Sequence, residues 1–343
     1  MTHPARNELM GHNPERHDML LLEDSWTWDF WIARDGADYH LFFLKAPKSL
    51  GDPNLRHEAA RVGHAVGTNL RDWSVLPDAL GPAHEGAWDD LATWTGSVLH
   101  ADGRWHMFYT GINRRERAAH QRIGVATSSD LTTWTKNPEP VLTLDETRYE
   151  GRVPGWDTVD WRDPWVYRTA GTGDYRMLFT ARAPGGAIDE RGVIGMARSS
   201  DLVHWTTDAP MYAPAQFGHL EVPQLFEVGG LWYLSYSVYA AQHSARRRRT
   251  SRAVTGTHYA IGPTEFGPWR TPSQDFFSGD PKGELYAGRF ERDPDGNLVF
   301  IAFLQYVDGG PFVGGLSDPY PVEVKSDGQL AINPGRITLP VAL

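Results

Sequence analysis

The chain has 343 residues, with 33 Lys and Arg against 43 Asp and Glu, a formal net charge of −10. That balance argues against a nucleic-acid partner, and the absence of cysteine excludes disulfides, thiol nucleophiles and thiolate metal sites. Apolar residues at 41% and charged residues at 22% exclude wholesale disorder, while 35 Gly and 24 Pro imply many turns.

Residues 1–16 are polar, mixed in charge and without the apolar run of a signal peptide. No stretch approaches a membrane span. The expectation is a cytoplasmic protein without membrane partners, in which residues 1–16 form a tail or an outer closing strand. Residues 17–343 form one domain, since no linker divides them.

Helical periodicity is scarce beyond this point, and one pattern recurs. A small turn precedes an aromatic-aliphatic strand at Tyr39-His40-Leu41-Phe42-Phe43, and again at Trp105-His106-Met107-Phe108-Tyr109. It returns at Tyr175-Arg176-Met177-Leu178-Phe179, Leu231-Trp232-Tyr233-Leu234 and Leu298-Val299-Phe300-Ile301. The first residues of these copies are 66, 70, 56 and 67 residues apart. A second pattern trails the first: Val66 to Trp73, Ala126 to Trp134, Ala197 to Trp205, and more weakly Ala260 to Trp269. Each copy reads as a strand, a turn capped by a polar side chain, and a Trp closing a local core. A unit repeated five times at this period predicts an all-β fold, a five-bladed β-propeller of four-stranded blades. A large β-sandwich is the competing architecture.

The inner strands of a propeller surround an axial channel, so catalytic acids should occupy matched places in different blades. Asp29, Asp163 and Glu221 each sit in an aromatic setting, 10 to 12 residues ahead of a repeat strand. One such acid ordinarily caps a turn or pairs with an Arg such as Arg162; three at matched offsets are harder to explain that way. Three acids in an aromatic pocket suit glycoside chemistry: one carboxylate attacks or activates water, one acid protonates the leaving oxygen, and a third binds hydroxyls. Mutual repulsion helps to keep one of them protonated near neutral pH. The load of 14 Trp, 13 Tyr and 14 Phe suits sugar rings as well as a β core.

These segments resemble glycoside hydrolase family 32 and its sister family 68, the β-fructofuranosidases and fructosyltransferases. Trp28-Asp29-Phe30-Trp31 is similar to the nucleophile segment of the levansucrase group. Gly63-His64-Ala65-Val66 resembles the closing segment of the first blade, and Trp94-Thr95-Gly96-Ser97 the aromatic-Ser/Thr-Gly-Ser element. Arg162-Asp163-Pro164 matches Arg-Asp-Pro, Glu221-Val222-Pro223 stands where the family has Glu-Cys-Pro, and Tyr286-Ala287 resembles the fifth-blade Tyr-Ala. Ile337-Thr338-Leu339-Pro340 resembles the end of the propeller.

The resemblance implies that Asp29 is the nucleophile, Glu221 the general acid and base, and Asp163 a stabiliser of the transition state beside Arg162. Trp28, Trp31, Trp94 and Ser97 would line the pocket, with His64 and Tyr286 as further substrate-binding residues. The implied activity is retaining cleavage or transfer of a β-D-fructofuranosyl group from a small or oligomeric sugar, without cofactor or metal. The chain departs from the family pattern in several places. It lacks the Asn-Asp-Pro-Asn of the invertase group. It has Phe43-Leu44 for Tyr-Gln and Val62 for a Trp, and the expectation is a propeller without the family's usual C-terminal β-sandwich. An arabinofuranosidase or xylosidase similar to family 43, or a non-catalytic carbohydrate-binding propeller, is the alternative.

Other features are less specific. Asp24 competes with Asp29, and Asp157 and Asp160 either touch substrate or shape their loop. The run Arg246 to Arg249 reads as a solvated loop, an oligomer contact or an anion site. The 14 His show no metal spacing, and His219 has a supporting place beside Glu221. No phosphate-binding glycine loop or serine-hydrolase elbow is present.

Overall fold

The computed structural model describes residues 20–332 except 274, 275 and 308. Five antiparallel sheets follow one another along the chain. Blade one is built from Ser25–Asp35, Asp38–Pro47, Arg61–Gly67 and Ser74–Leu80, and blade two from Ala92–Ala101, Arg104–Ile112, Arg122–Ser128 and Thr135–Lys136. Blade three holds Arg162–Arg168, Tyr175–Arg182, Gly192–Ser199 and Thr206–Thr207, and blade four Glu221–Val228, Leu231–Val238, Thr255–Gly262 and Ser278–Asp280. Blade five starts with Leu285–Arg292 and Leu298–Tyr306. The first strand of each blade contacts the first strands of its two neighbours, and five with one, so these strands line the axis. The fold is the expected five-bladed propeller.

The recurrent aromatic strands are the second strand of every blade. Each is covered on both faces, which is why its apolar residues run continuously instead of alternating: Leu41, Phe42 and Phe43 are all fully buried. In blades one, two and four the turns before them are two-residue hairpins, and in blades three and five they are longer loops. Asp102 and Gly103 both have positive φ, as do Gly229 and Gly230, the conformation that matches the twist of a two-residue hairpin.

The second motif forms the turn after each third strand. Asp130 Oδ1 accepts from the backbone N–H groups of Thr132 and Thr133 at 2.9 and 2.7 Å, and Asp201 Oδ1 does the same for Val203 and His204 at 2.9 and 2.8 Å. Asn69 plays this part in blade one. The Trp that follows closes its own turn, as Trp134 Nε1 and Trp205 Nε1 donate to Leu131 O and Leu202 O, and in blades two and three it also reaches the preceding blade. Trp134 of blade two meets Phe42 of blade one edge-on at 5.7 Å, and Trp205 of blade three meets Phe108 of blade two at 5.6 Å. In these two blades the motif therefore also seals one blade to the blade before it.

Blade five departs from the four-stranded pattern. Its third strand is broken into Phe312–Leu316 and Tyr320–Val324, both paired to Leu298–Tyr306, and Leu330–Ile332 lies outermost. Ser317 bridges the break, its N–H donating to Ala302 O and its Oγ accepting from Ala302 N. Leu20 pairs with Leu316 through two backbone hydrogen bonds, which ties the start of the described chain to the last blade. Residues 1–16, expected as a tail or closing strand, and Ile337 to Pro340 lie outside the described residues.

If the tryptophans seal the blades, Trp205→Ala should destabilise the fold by roughly 2–4 kcal/mol, the range of large aromatic truncations. Urea unfolding followed by circular dichroism would measure it; a change within experimental error would show the contact to be incidental.

Candidate active site

Every inner strand carries a β-bulge at the same level. The pairing slips at Asp29 in blade one, Thr95 in blade two, Asp163-Pro164 in blade three, Val222-Pro223 in blade four and Ala287-Gly288 in blade five. Asp163, Val222 and Ala287 have φ of 60°, 52° and 48°, a left-handed conformation that costs a non-glycine residue free energy. A bulge inserts one unpaired residue and re-aims its neighbours, so consecutive side chains turn toward the axis. Trp28 with Asp29, Trp94 with Thr95, Arg162 with Asp163, and Glu221 with Val222 all line one cavity of about 370 Å³.

The three expected acids meet there. Thr95 Oγ1 donates a hydrogen bond to Asp29 Oδ2. Asp163 Oδ2 accepts from Thr180 Oγ1 at 2.8 Å and from Val222 N at 3.1 Å. Glu221 accepts from Arg162 Nη2 at 2.7 Å and from the Tyr286 hydroxyl, and His219 Nε2 stands 3.5 Å away. Arg162, 9% exposed, also pairs with Asp160 at 2.7 Å and lies 3.6 Å from Asp163. Burial works against its charge, but Asp160, Glu221 and Asp163 keep it firmly protonated.

These surroundings separate the acids. Burial, then the charge of Asp163, raises Asp29 to about 7, and the Thr95 hydrogen bond only partly offsets them. Burial also pushes Asp163 above the ordinary carboxylate range, with Arg162 opposing it. Burial would raise Glu221 too, but His219, Arg162 and the Tyr286 hydroxyl outweigh it and hold Glu221 at about 2. Below about pH 7 a proton therefore favours Asp29, while Glu221 stays ionised.

Of the expected binding residues, Trp28, Trp94, Arg162 and Tyr286 line the cavity. Trp31, Ser97 and His64 do not, and those assignments are corrected. Trp31 and Ser97 each lie two residues beyond the bulge residue of their strand, roughly 7 Å deeper at the rise of an extended chain. Trp31 is 1% exposed and stacks on Phe42, while Ser97 Oγ accepts from Val166 N at 3.1 Å. His64 lies on the third strand of blade one, two strand spacings from the axis. It stacks on Phe42 and its Nε2 is 3.0 Å from His40 Nδ1. Asp24 is exposed and bound to Ser25, far from the role of Asp29. Asp157 is exposed too, and Asp160 lines the cavity while also bracing its loop by accepting from Trp156 Nε1 and Thr158 Oγ1. The arginine run braces the pocket wall: Arg248 donates to Ala240 O and Ala241 O, next to cavity residues Tyr239 and Gln242. Arg246 pairs with Glu190.

Sequence reasoning missed Arg56, His57, Gln121, Trp156, Tyr239 and Gln242, all cavity residues. They come from loops between strands and carry no repeat signal. Thr95 stood inside a quoted motif, and only the bulge shows that it faces Asp29.

Residues 32–331 match the family model described as the glycosyl hydrolases family 32 N-terminal domain. The chain belongs to glycoside hydrolase family 32. Sucrose-6-phosphate hydrolase of Bacillus subtilis (strain 168) is 24% identical over 79% of this chain and 53% of its own length. The 6(G)-fructosyltransferase of Asparagus officinalis is 34% identical over 55% of this chain and 30% of its own. The chain thus spans about half or less of these family relatives. Among solved structures, the inulosucrase from Halalkalicoccus jeotgali bound to kestose superposes with a TM-score of 0.72 at 21% identity, covering 93% of this chain and 92% of that one. At that identity the likeness concerns the fold.

The separation of the acids is open to direct measurement. Thr95→Val removes a hydrogen bond that favours ionised Asp29, so its titration should move above 7. Tyr286→Phe should move Glu221 up from about 2 by the same logic. The carboxyl infrared band followed against pH would show both shifts; unchanged titrations would remove these hydroxyls from the network.

Proposed function

We propose that the protein is a retaining glycosidase that moves a β-D-fructofuranosyl group from a sugar onto water or onto a second sugar hydroxyl. The observation that carries this reading is the meeting of Asp29, Asp163 and Glu221 in one cavity, on the inner strands of three blades and with Arg162 paired to the last two, in a family 32 chain. The names of the relatives, one a hydrolase and one a transferase, support both fates of the fructosyl group.

In this reading an oxygen of Asp29 attacks the anomeric carbon while Glu221 gives its proton to the leaving oxygen. A covalent fructosyl ester forms on Asp29 and the glycosidic bond breaks. Water or a sugar hydroxyl then attacks the same carbon, Glu221 takes its proton, and the ester bond to Asp29 is released. Asp163, fixed by Thr180 and Val222 N, accepts hydrogen bonds from ring hydroxyls as positive charge develops. Trp28 and Trp94 supply apolar walls.

The proton must change places before the first step. Sugar hydroxyls donating to Asp29 and Asp163 lower their affinity for it. The arriving glycosidic oxygen, an acceptor beside Glu221, raises that of Glu221. Because both arrangements carry one proton, the pH profile follows the pair and not the assignment. The profile of kcat/KM should therefore hold at acidic pH and fall as pH rises through about 7, where the shared proton is lost from Asp29. A profile that instead rises through pH 7 would overturn this assignment.

The deciding experiment is product analysis on sucrose, kestose, inulin, levan and aryl arabinofuranosides. Released fructose or lengthened fructans are expected, and Asp29→Ala and Glu221→Ala should each lose about 10³-fold or more in kcat with the fold intact. Arabinose release with fructosides untouched would overturn the fructosyl reading.

A further inference from the structure

One cation in the cavity has no carboxylate partner. Arg162 is neutralised by three acids, whereas Arg56 makes no ion pair among the described residues. It comes from the 3₁₀ segment Pro53–Ala59, inserted between the second and third strands of blade one and capped by Asp52, whose Oδ1 accepts from Asn54 N at 2.9 Å. Arg56 is 8% exposed and lines the cavity. Its guanidinium lies 4.2 Å from the centre of the Phe312 ring and 5.5 Å from that of Trp28. Only Nη1 is engaged, donating to Pro53 O at 2.8 Å; Nε is buried and has no partner.

Burial disfavours this charge. Two aromatic faces and one carbonyl fix the plane of the guanidinium, so its remaining N–H groups are presented at small entropic cost. Leaving a buried donor such as Nε unsatisfied is expensive, and acceptors on a bound ligand would relieve that cost. The neighbouring wall explains the need: Leu44 faces the cavity and offers no polar contact. A cavity in which Asp160, Asp163 and Glu221 stand against only two guanidinium groups, Arg162 and Arg56, does not favour an anion, which makes neutral hydroxyl groups the fitting acceptors.

We propose that Arg56 is a specificity-determining residue that donates to hydroxyls of the furanosyl ring seated against Asp29. The inference rests on the function proposed above. It assigns to a loop of blade one the polar contact that Leu44 cannot make.

The test is a cycle between enzyme and substrate. Wild type, Arg56→Met and Arg56→Lys would be assayed on a fructofuranoside and its monodeoxy analogues, with near-ultraviolet circular dichroism to check the fold. Arg56→Met should lose about ten- to a hundred-fold in kcat/KM, the worth of hydrogen bonds to a charged donor, and mainly through KM. Arg56→Lys, with a single point charge, should recover part of it. One or two monodeoxy analogues that wild type penalises should be handled by Arg56→Met as well as the parent sugar. If every deoxy penalty survives in Arg56→Met, or KM is unchanged, the inference fails while the proposed function stands. If wild type turns over no fructofuranoside, the proposed function fails. Fructose binding followed by tryptophan fluorescence then decides Arg56: a signal lost in Arg56→Met upholds it, and one that persists, or no binding by wild type, overturns it.

Discussion

Four carboxylates crowd one end of the axial channel, and the structure depends on how their charge is tolerated. Asp160, Asp163 and Glu221 surround the nearly buried guanidinium of Arg162, while Asp29 stands beyond its hydrogen-bonding reach. Low-dielectric surroundings make every uncompensated charge costly. Arg162 answers for three of the acids, and Asp29, away from that cation, holds its proton up to about pH 7. That division of charge is what gives neighbouring acids different chemistry.

The propeller makes the crowding possible. Asp29, Asp163 and Glu221 are separated by 134 and 58 residues in sequence, yet each lies at the bulge of an inner strand. A strand without a bulge would show the axis only every second side chain. The bulges place consecutive side chains there, so Arg162 and Asp163 reach the same cavity. Left-handed backbone at Asp163, Val222 and Ala287 is the cost of that arrangement, carried by the five blades packed around it.

Outside the ring of bulges, loops finish the pocket. The Pro53–Ala59 segment brings Arg56 and His57, and the segment before blade three brings Trp156. The stretch after the second strand of blade four brings Tyr239, stacked at 4.1 Å on Tyr286, and Gln242. Arg248 fastens this last stretch from outside, which gives the arginine run a supporting place in the pocket. The scaffold thus carries the acids, while its connections shape the cavity in which a substrate would sit.

The sequence by itself determined the repeat, the number of blades and the inner-strand position of the three acids. All of these follow from local patterns: a doubly buried strand is continuously apolar, a capped turn needs Asp or Asn, and a repeated unit places equivalent residues equivalently. Tertiary structure decided the rest. Trp31 and Ser97 share motifs with pocket residues but lie deeper than the bulge, and His64 sits two strands from the axis; depth and strand order are not written in a motif. Trp134 and Trp205 seal neighbouring blades because their partners, Phe42 and Phe108, belong to other repeats. Arg56 becomes a free donor only where Trp28, Phe312 and the cavity meet around it. The ionisation of Asp29 and Glu221 likewise depends on which charges the fold brings close, and that is a property of three-dimensional distance, not of spacing along the chain.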